Sequence, residues 1–379
     1  MKIAILHEML IKLWWAEKVV ESILKIYPEA DLFTLIYDEK KAWKIFPKNM
    51  IHPACSKLKS QRIYNISKRQ RLCLPFMVSS VESLNFSEYD RVIVSSSWFA
   101  HWLKTWKHTK TIIYYHAPAR YMWDWTHEYR KEIGMNSLIK WYLYGRLMLK
   151  LRLWDYAASQ NNDILLSNSK TTRFRVQKYF RRDSEVLYPP IETKRFAKKI
   201  TSEKFHNFFW DEKYYIILSA LTEFKKLDIA IHAFKDIPEA NLLIIWAGEY
   251  KSSLEGLAKN SQNIKLAGPQ YWDNLVSLVQ NSLWLIFPWE EDFWIVPIEI
   301  MAAGKPVFAL HKWWLTETVL KWITWDFFQN PDWSDFIDNF KAFHKNNLEN
   351  KYSEKKCRNQ AAQFDESVFH EKLKKHIKH

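Results

Sequence analysis

The chain has 379 residues, 48% of them hydrophobic and 26% charged, which excludes a disordered polymer and suits two domains of about 150 to 200 residues. No apolar stretch nears the roughly 20 residues that span a bilayer, and three scattered cysteines, Cys55, Cys73 and Cys357, exclude a disulfide framework and fit a reducing cytoplasm. The net charge of +14 points to an anionic partner, which phosphorylated small molecules or an anionic lipid surface satisfy as well as nucleic acid, and no nucleic-acid motif accompanies the charge. Tryptophan stands at 21 residues against 6 glycines, where glycine alone ordinarily makes up about 7%. The two together come close to that share, so the excess and the deficit read as one phenomenon.

In chain order, `MKIAIL` enters a strand at once, with no signal peptide ahead of it. An amphipathic helix follows, with Ala16, Val19, Val20, Ile23, Leu24 and Tyr27 at helical spacing. Between the two stand Trp14 and Trp15, at a strand-to-helix turn that usually needs small residues, because the backbone bends sharply and approaches a ligand phosphate. After the strand `DLFTLIY` comes the densest basic run, residues 56–71, with Lys57, Lys59, Arg62, Lys68, Arg69 and Arg71. It reads as a solvated helix face or as a contact with a membrane or lipid phosphate.

The next strands are `RVIVSSS`, `TIIYYHA` and `DILLSNS`. `VSSSWFAHW`, with Ser97, is an acceptor-side loop or simple helix capping, and Asn168-Ser169 carries the same ambiguity. His116 ends a strand where a ligand would lie, with Arg120 and Tyr121 just beyond. Paired prolines at `VLYPPIETKRF`, residues 186–196, mark a domain break. Beyond it run `YYIILSA`, `NLLIIWAGE`, `NIKLAG`, `LWLIFP` and `KPVFAL`, again continuous apolar strands between helical patterns. Such strands indicate parallel sheets covered on both faces. The expected fold is therefore α/β: two Rossmann-like, doubly wound domains at 1–190 and 191–360, with a closing basic helix at 361–379 and ligands beyond the strand ends, in a cleft between the domains.

`FPWEEDFWIVPIEIMAAGKPVFAL`, residues 287–310, holds Glu291 and Glu299 seven residues apart across a loop and the start of a helix. Pro297 suits a first helical position, which sets Glu299 near the positive end of the helix dipole, where a carboxylate can accept both hydroxyls of a ribose. Glu291 lies back on the loop.

With this E-x7-E segment and the surrounding `GKPVFA`, the chain resembles retaining glycosyltransferases of family 4, which have the GT-B fold. `YYHAPARYMWD`, `LRLWDYAAS` and `VLYPPIE` look like the mannosyltransferase-like branch of cell-surface polysaccharide assembly. Where the family has glycine, this chain has Trp14, Trp15, Trp246, Trp289, Trp294, Trp313, Trp314, Trp322 and Trp325; Trp123 and Trp154 stand where the family has tryptophan. UGA codons decoded as glycine in the source and translated as tryptophan would produce this selective pattern.

The resemblance implies a nucleoside-diphosphate sugar, GDP-mannose by branch, and hexose transfer with retention to a lipid-linked or envelope saccharide. It implies no bound metal and a cytoplasmic site at the inner face of the membrane. It assigns donor contacts to the turn at Trp14 and Trp15, to Lys225 or its neighbour Lys226, and to Glu291, Phe293, Trp294, Ile295 and Glu299, with Ala220 where many members have a phosphate-binding arginine. Glu291 and His116 are the candidate catalytic side chains; Ser97, Arg120 and Tyr121 lie on the acceptor side. The alternatives are a sugar-nucleotide epimerase of the same fold, which the E-x7-E placement disfavours, and an inactive saccharide-binding protein whose tryptophans are literal. Nucleic acid is not an expected partner.

Overall fold

The computed structural model describes residues 1–11, 15–53, 59–67, 73–126, 137–200, 208–209, 212–289, 295–311, 317, 325–330, 332–348 and 353–378. The chain divides into two compact units, Met1–Pro190 with Phe369–His379, and Ile191–Val368. The division falls within the paired-proline segment, where two fixed φ angles and missing N–H donors end regular structure.

Seven strands make the sheet of the first unit: β1 (Ile3–Leu10), β2 (Asp31–Tyr37), β3 (Ile51–Pro53), β4 (Arg91–Ser96), β5 (Lys110–Tyr115), β6 (Ile164–Ser167) and β7 (Glu185–Val186). All pair in parallel in the order β3-β2-β1-β4-β5-β6-β7. Alternate residues feed two cores. Ala4, Leu6, Val92, Val94 and Tyr115 enter one, and Ile3, Ile5, Ile93 and Tyr114 the other. Both faces are thus buried, which is why these strands read as unbroken apolar runs. The helices that bear on the argument are α1 (Trp15–Ile26), α2 (Arg120–Trp123), α3 (Leu138–Gln160) and α4 (Lys170–Phe180).

The second unit has six parallel strands: β8 (Tyr214–Leu218), β9 (Asn241–Ile245), β10 (Ile264–Gly268), β11 (Leu285–Phe287), β12 (Val307–Leu310) and β13 (Trp325–Phe328), in the order β10-β9-β8-β11-β12-β13. Its helices include α5 (Leu227–Lys235), α6 (Val296–Ala302), α7 (Trp333–Leu348) and α8 (Glu354–Ala362). Phe308 stacks on Phe343 at 4.7 Å, and Trp284 meets the same ring edge-on at 4.0 Å.

The ten strands expected from the sequence all form. The three beyond them, β3, β7 and β13, are edge strands of two to four residues, too short to show a pattern. The C-terminal expectation needs correcting: residues 361–379 are not one helix. The helix there is α9 (Glu366–Lys378). Asp365 precedes it and accepts Ser367 N–H at 3.1 Å and the Ser367 hydroxyl at 2.6 Å. The second unit runs on to Val368, and α9 returns Phe369, Leu373 and Ile377 to the core of the first. Among the described residues no helix is long and apolar enough to cross a membrane.

Candidate active site

In a parallel sheet all strands end at one edge, and polar residues there are held by backbone already fixed in the ladder. In the first unit that edge gathers His7 and Glu8 from β1, Ser95 and Ser96 from β4, and His116, which follows β5. Ser95 Oγ lies 3.0 Å from His7 Nδ1 and 2.8 Å from His116 Nε2. His7 Nδ1 is also 3.3 Å from the Ser95 carbonyl, which can only accept. The consistent assignment has His7 donating through Nδ1 and the Ser95 hydroxyl donating on to His116 Nε2, so that His116 carries its proton on Nδ1. Burial, and secondarily the neighbouring His7, push the basicity of His116 down to about 3. The ring is a neutral imidazole at physiological pH. Its backbone is clamped as well: His116 N–H donates to Ser96 O at 2.8 Å, and Thr172 Oγ1 donates to His116 O at 3.2 Å.

Glu8, 2% exposed, accepts from the backbone N–H groups of Ser97 (2.9 Å), Trp98, Phe99 (2.8 Å) and Ala100 (3.1 Å), and from the Ser96 hydroxyl (3.1 Å). Four convergent N–H groups form an anion nest, and here the chain fills it with its own carboxylate. The Ser97 N–H is therefore committed to shaping the turn. Sequence reasoning passed over His7, Glu8 and Ser95; the available signal was a His-Glu pair inside an otherwise apolar strand.

Arg120 and Tyr121 lie on α2. The Arg120 guanidinium stacks 3.8 Å from the centre of the Trp125 ring, and Tyr121 packs edge-on against Trp98 at 5.7 Å. Asn168 N–H donates to Tyr115 O at 3.1 Å, and Ser169 caps α4 by accepting Thr172 N–H at 3.1 Å. Trp14 lies outside the described residues. Trp15 opens α1, its ring 5.0 Å from the Lys18 ammonium. Of the six cationic side chains in the basic run, only that of Arg62, exposed, is described.

In the second unit, Lys225 closes a short 3-10 turn, Glu223–Lys225, after β8. It is 3% exposed, unusual for lysine, with its ammonium 4.8 Å from the Phe224 ring and 5.0 Å from the Trp289 ring. Lys226 is exposed and left-handed, φ 51°, so its side chain leaves the surface that Lys225 enters. Glu299 is 6% exposed in the first turn of α6. The helix starts at Val296, which puts Pro297 at its second position, one later than the sequence suggested. Ile295 is the buried N-cap residue. Glu291, Phe293 and Trp294 lie outside the described residues.

Two residues just beyond β9 occupy positions shaped for glycine. A Cβ on Gly248 would lie 2.1 Å from the Leu221 carbonyl oxygen, so no side chain fits. Trp246, two residues earlier, has φ 125°, a region almost confined to glycine. Trp123 behaves differently. Its indole donates to buried Asp155 at 2.7 Å, as does that of Trp102, also at 2.7 Å, with His101 Nε2 2.9 Å from the same carboxylate.

Two α/β units with parallel sheets of these orders, each gathering polar side chains at its strand ends, define the GT-B fold. Solved structures agree across the chain's whole length. The Anabaena protein HepE in complex with UDP superposes with a TM-score of 0.74 at 13% identity, covering 100% of both chains. Sucrose-phosphate synthase from Thermosynechococcus elongatus gives 0.73 at 13% identity, covering 100% of this chain and 98% of that one. WaaG, a glycosyltransferase involved in lipopolysaccharide biosynthesis, gives 0.62 at 14% identity, covering 98% of each.

The family model described as glycosyl transferases group 1 matches residues 198–364, nearly the whole second unit, Lys225 and Glu299 included. The chain has the GT-B fold, and its second unit, over residues 198–364, is of glycosyl transferases group 1 type. Among curated relatives, alpha-1,3/1,6-mannosyltransferase ALG2 of Dictyostelium discoideum is 24% identical over 275 residues, 62% of each protein. The uncharacterized glycosyltransferase MJ1178 of Methanocaldococcus jannaschii is 26% identical over 175 residues, 45% of this chain and 47% of its own. The chain thus spans between about half and three-fifths of the length of these two relatives.

Proposed function

We propose that the chain transfers a hexose, mannose the leading candidate, from a nucleoside-diphosphate sugar to a lipid-linked or envelope saccharide with retention of configuration, working in the cytoplasm at the membrane surface. The observation that carries this reading is the pair Lys225 and Glu299, both buried within the segment that matches the group 1 model. The mannosyltransferase relative favours mannose, GDP is the nucleotide that the branch resemblance implies, and the neighbour with UDP bound shows which other nucleotide to test. In this reading Glu299 accepts the ribose hydroxyls, and the Lys225 ammonium stabilises negative charge building on the departing diphosphate. The acceptor oxygen bonds to the anomeric carbon on the face the diphosphate leaves, and the acceptor proton passes to the leaving phosphate. His116, neutral, hydrogen-bonds the transferred sugar without competing as an acid. In this reading Lys225 supplies the positive charge opposite the leaving diphosphate, and no metal is called on for it.

The same reading takes Trp14, Trp15, Trp246, Trp289, Trp294, Trp313 and Trp314 as glycine in the source cell, decoded from UGA. Its support is Trp246 at φ 125° and the Trp289 ring beside Lys225. Glycine at 289 would remove the ring and leave the ammonium for phosphate. Literal tryptophans favour the second reading, a saccharide-binding protein without transfer, since the Trp289 ring then occupies Lys225.

The test has two stages. The mass of the peptide of residues 13–18, `LWWAEK`, from source cells identifies residues 14 and 15. The chain with glycine at the seven positions is then titrated with GDP-mannose and UDP-glucose and assayed for sugar release. Binding and turnover that fall roughly 10²- to 10³-fold in kcat for Lys225→Ala support the transferase. Glycine at 14 and 15 with no binding of either donor overturns it, and tryptophan there with saccharide binding alone moves the second reading ahead.

A further inference from the structure

The 23-residue α3 (Leu138–Gln160) carries half of the large hydrophobic side chains exposed among the described residues. Ile139 is 72% exposed, Leu143 59%, Leu153 62% and Trp154 42%. At 100° per residue these share the outer half of the helix with Arg146 and Lys150, both exposed. The opposite stripe, Met148, Asp155 and Ser159, is the buried side. The helix is therefore apolar nearly all round although only one side packs, a pattern that marks an interaction surface.

The charge on the face decides among occupants. The only carboxylate on α3 is Asp155, which is buried and satisfied by the indoles of Trp102 and Trp123. A two-fold pairing with a second copy would set the Arg146 and Lys150 cations of one helix against those of the other, with no exposed acid on the helix to separate them. A bilayer with anionic headgroups meets every feature: leucines and isoleucine enter the acyl boundary, tryptophan and tyrosine sit at headgroup depth, and the cations pair with lipid phosphate. We infer that α3 is the element by which this chain docks, lying flat, on an anionic membrane surface. The inference rests on the membrane-surface part of the proposed function and moves the contact from the 56–71 run to α3.

The experiment is flotation of the full chain with vesicles of phosphatidylcholine alone or with roughly 30% phosphatidylglycerol, read without any sugar transfer so that its failure is separate from that of the transferase reading. Expected is at least tenfold stronger partition onto the anionic vesicles. The loss should be about tenfold or more in R146E/K150E, a fall on both vesicle types in L143Q/L153Q, and none in R62E. Unchanged circular dichroism and thermal unfolding in the variants show that the fold is kept. Absence of binding to anionic vesicles, binding that survives both α3 variants, or a dimer in sedimentation that L143Q/L153Q dissociates would each overturn the assignment.

Discussion

At the scale of single residues, two physical kinds of tryptophan stand out among the described residues. Trp123 and Trp102 spend their indole N–H groups on a carboxylate that is fully buried, and removing either donor leaves Asp155 under-satisfied. Trp123→Phe should destabilise the chain by about 1.5–3 kcal/mol, read by urea denaturation. Trp246→Gly should do the reverse, stabilising by about 1–3 kcal/mol, because it relieves a side chain at φ 125°. A destabilised Trp246→Gly would count against glycine as the residue that position was shaped for. His116 gives the third expectation at this scale. Its folded-state pKa of about 3 lies below the ordinary 6.5, so the unfolded chain binds the additional proton within that window. Stability is full above about pH 6.5 and falls on acidification towards pH 3. His116→Gln should flatten this part of the profile in denaturation measured against pH; an unaltered slope would assign the acid sensitivity elsewhere.

At the scale of elements, two contacts distant in sequence complete the first unit. Glu8 on β1 organises the turn after β4 through four backbone N–H groups. Glu8→Ala should cost about 2–5 kcal/mol by leaving those donors buried, and should shift the Ser95–His116 edge with them. A glutamate inside an apolar strand is legible as unusual; its partner turn, about 90 residues on, is not, because only the pairing of β1 beside β4 brings them together. Helix α9 is the second case. Phe369, Leu373 and Ile377 repeat every fourth residue and are almost fully buried against the face that also takes Val19, Val20 and Ile23. Leu373→Ala should cost about 2–5 kcal/mol and lower the melting temperature as a first-unit event.

At the scale of the molecule, the sequence by itself determined the two α/β units, their parallel sheets and the division at the paired prolines. These follow from apolar runs, helical periodicity and fixed proline geometry, all of which are local. It also pointed to Lys225, Glu299 and His116, through a spacing and a family likeness carried by short motifs. Only the tertiary structure decided that Lys225 is buried between aromatic rings whereas Lys226 is not, that Ser95 links His7 to His116, and that Glu8 fills a nest of N–H groups. It likewise decided which tryptophans are anchored by a carboxylate and which one strains its backbone. The physical reason is common to all of them. Each depends on the crossing of strands and loops separated by tens of residues, and on a backbone φ or a hydrogen-bond partner that no periodicity records.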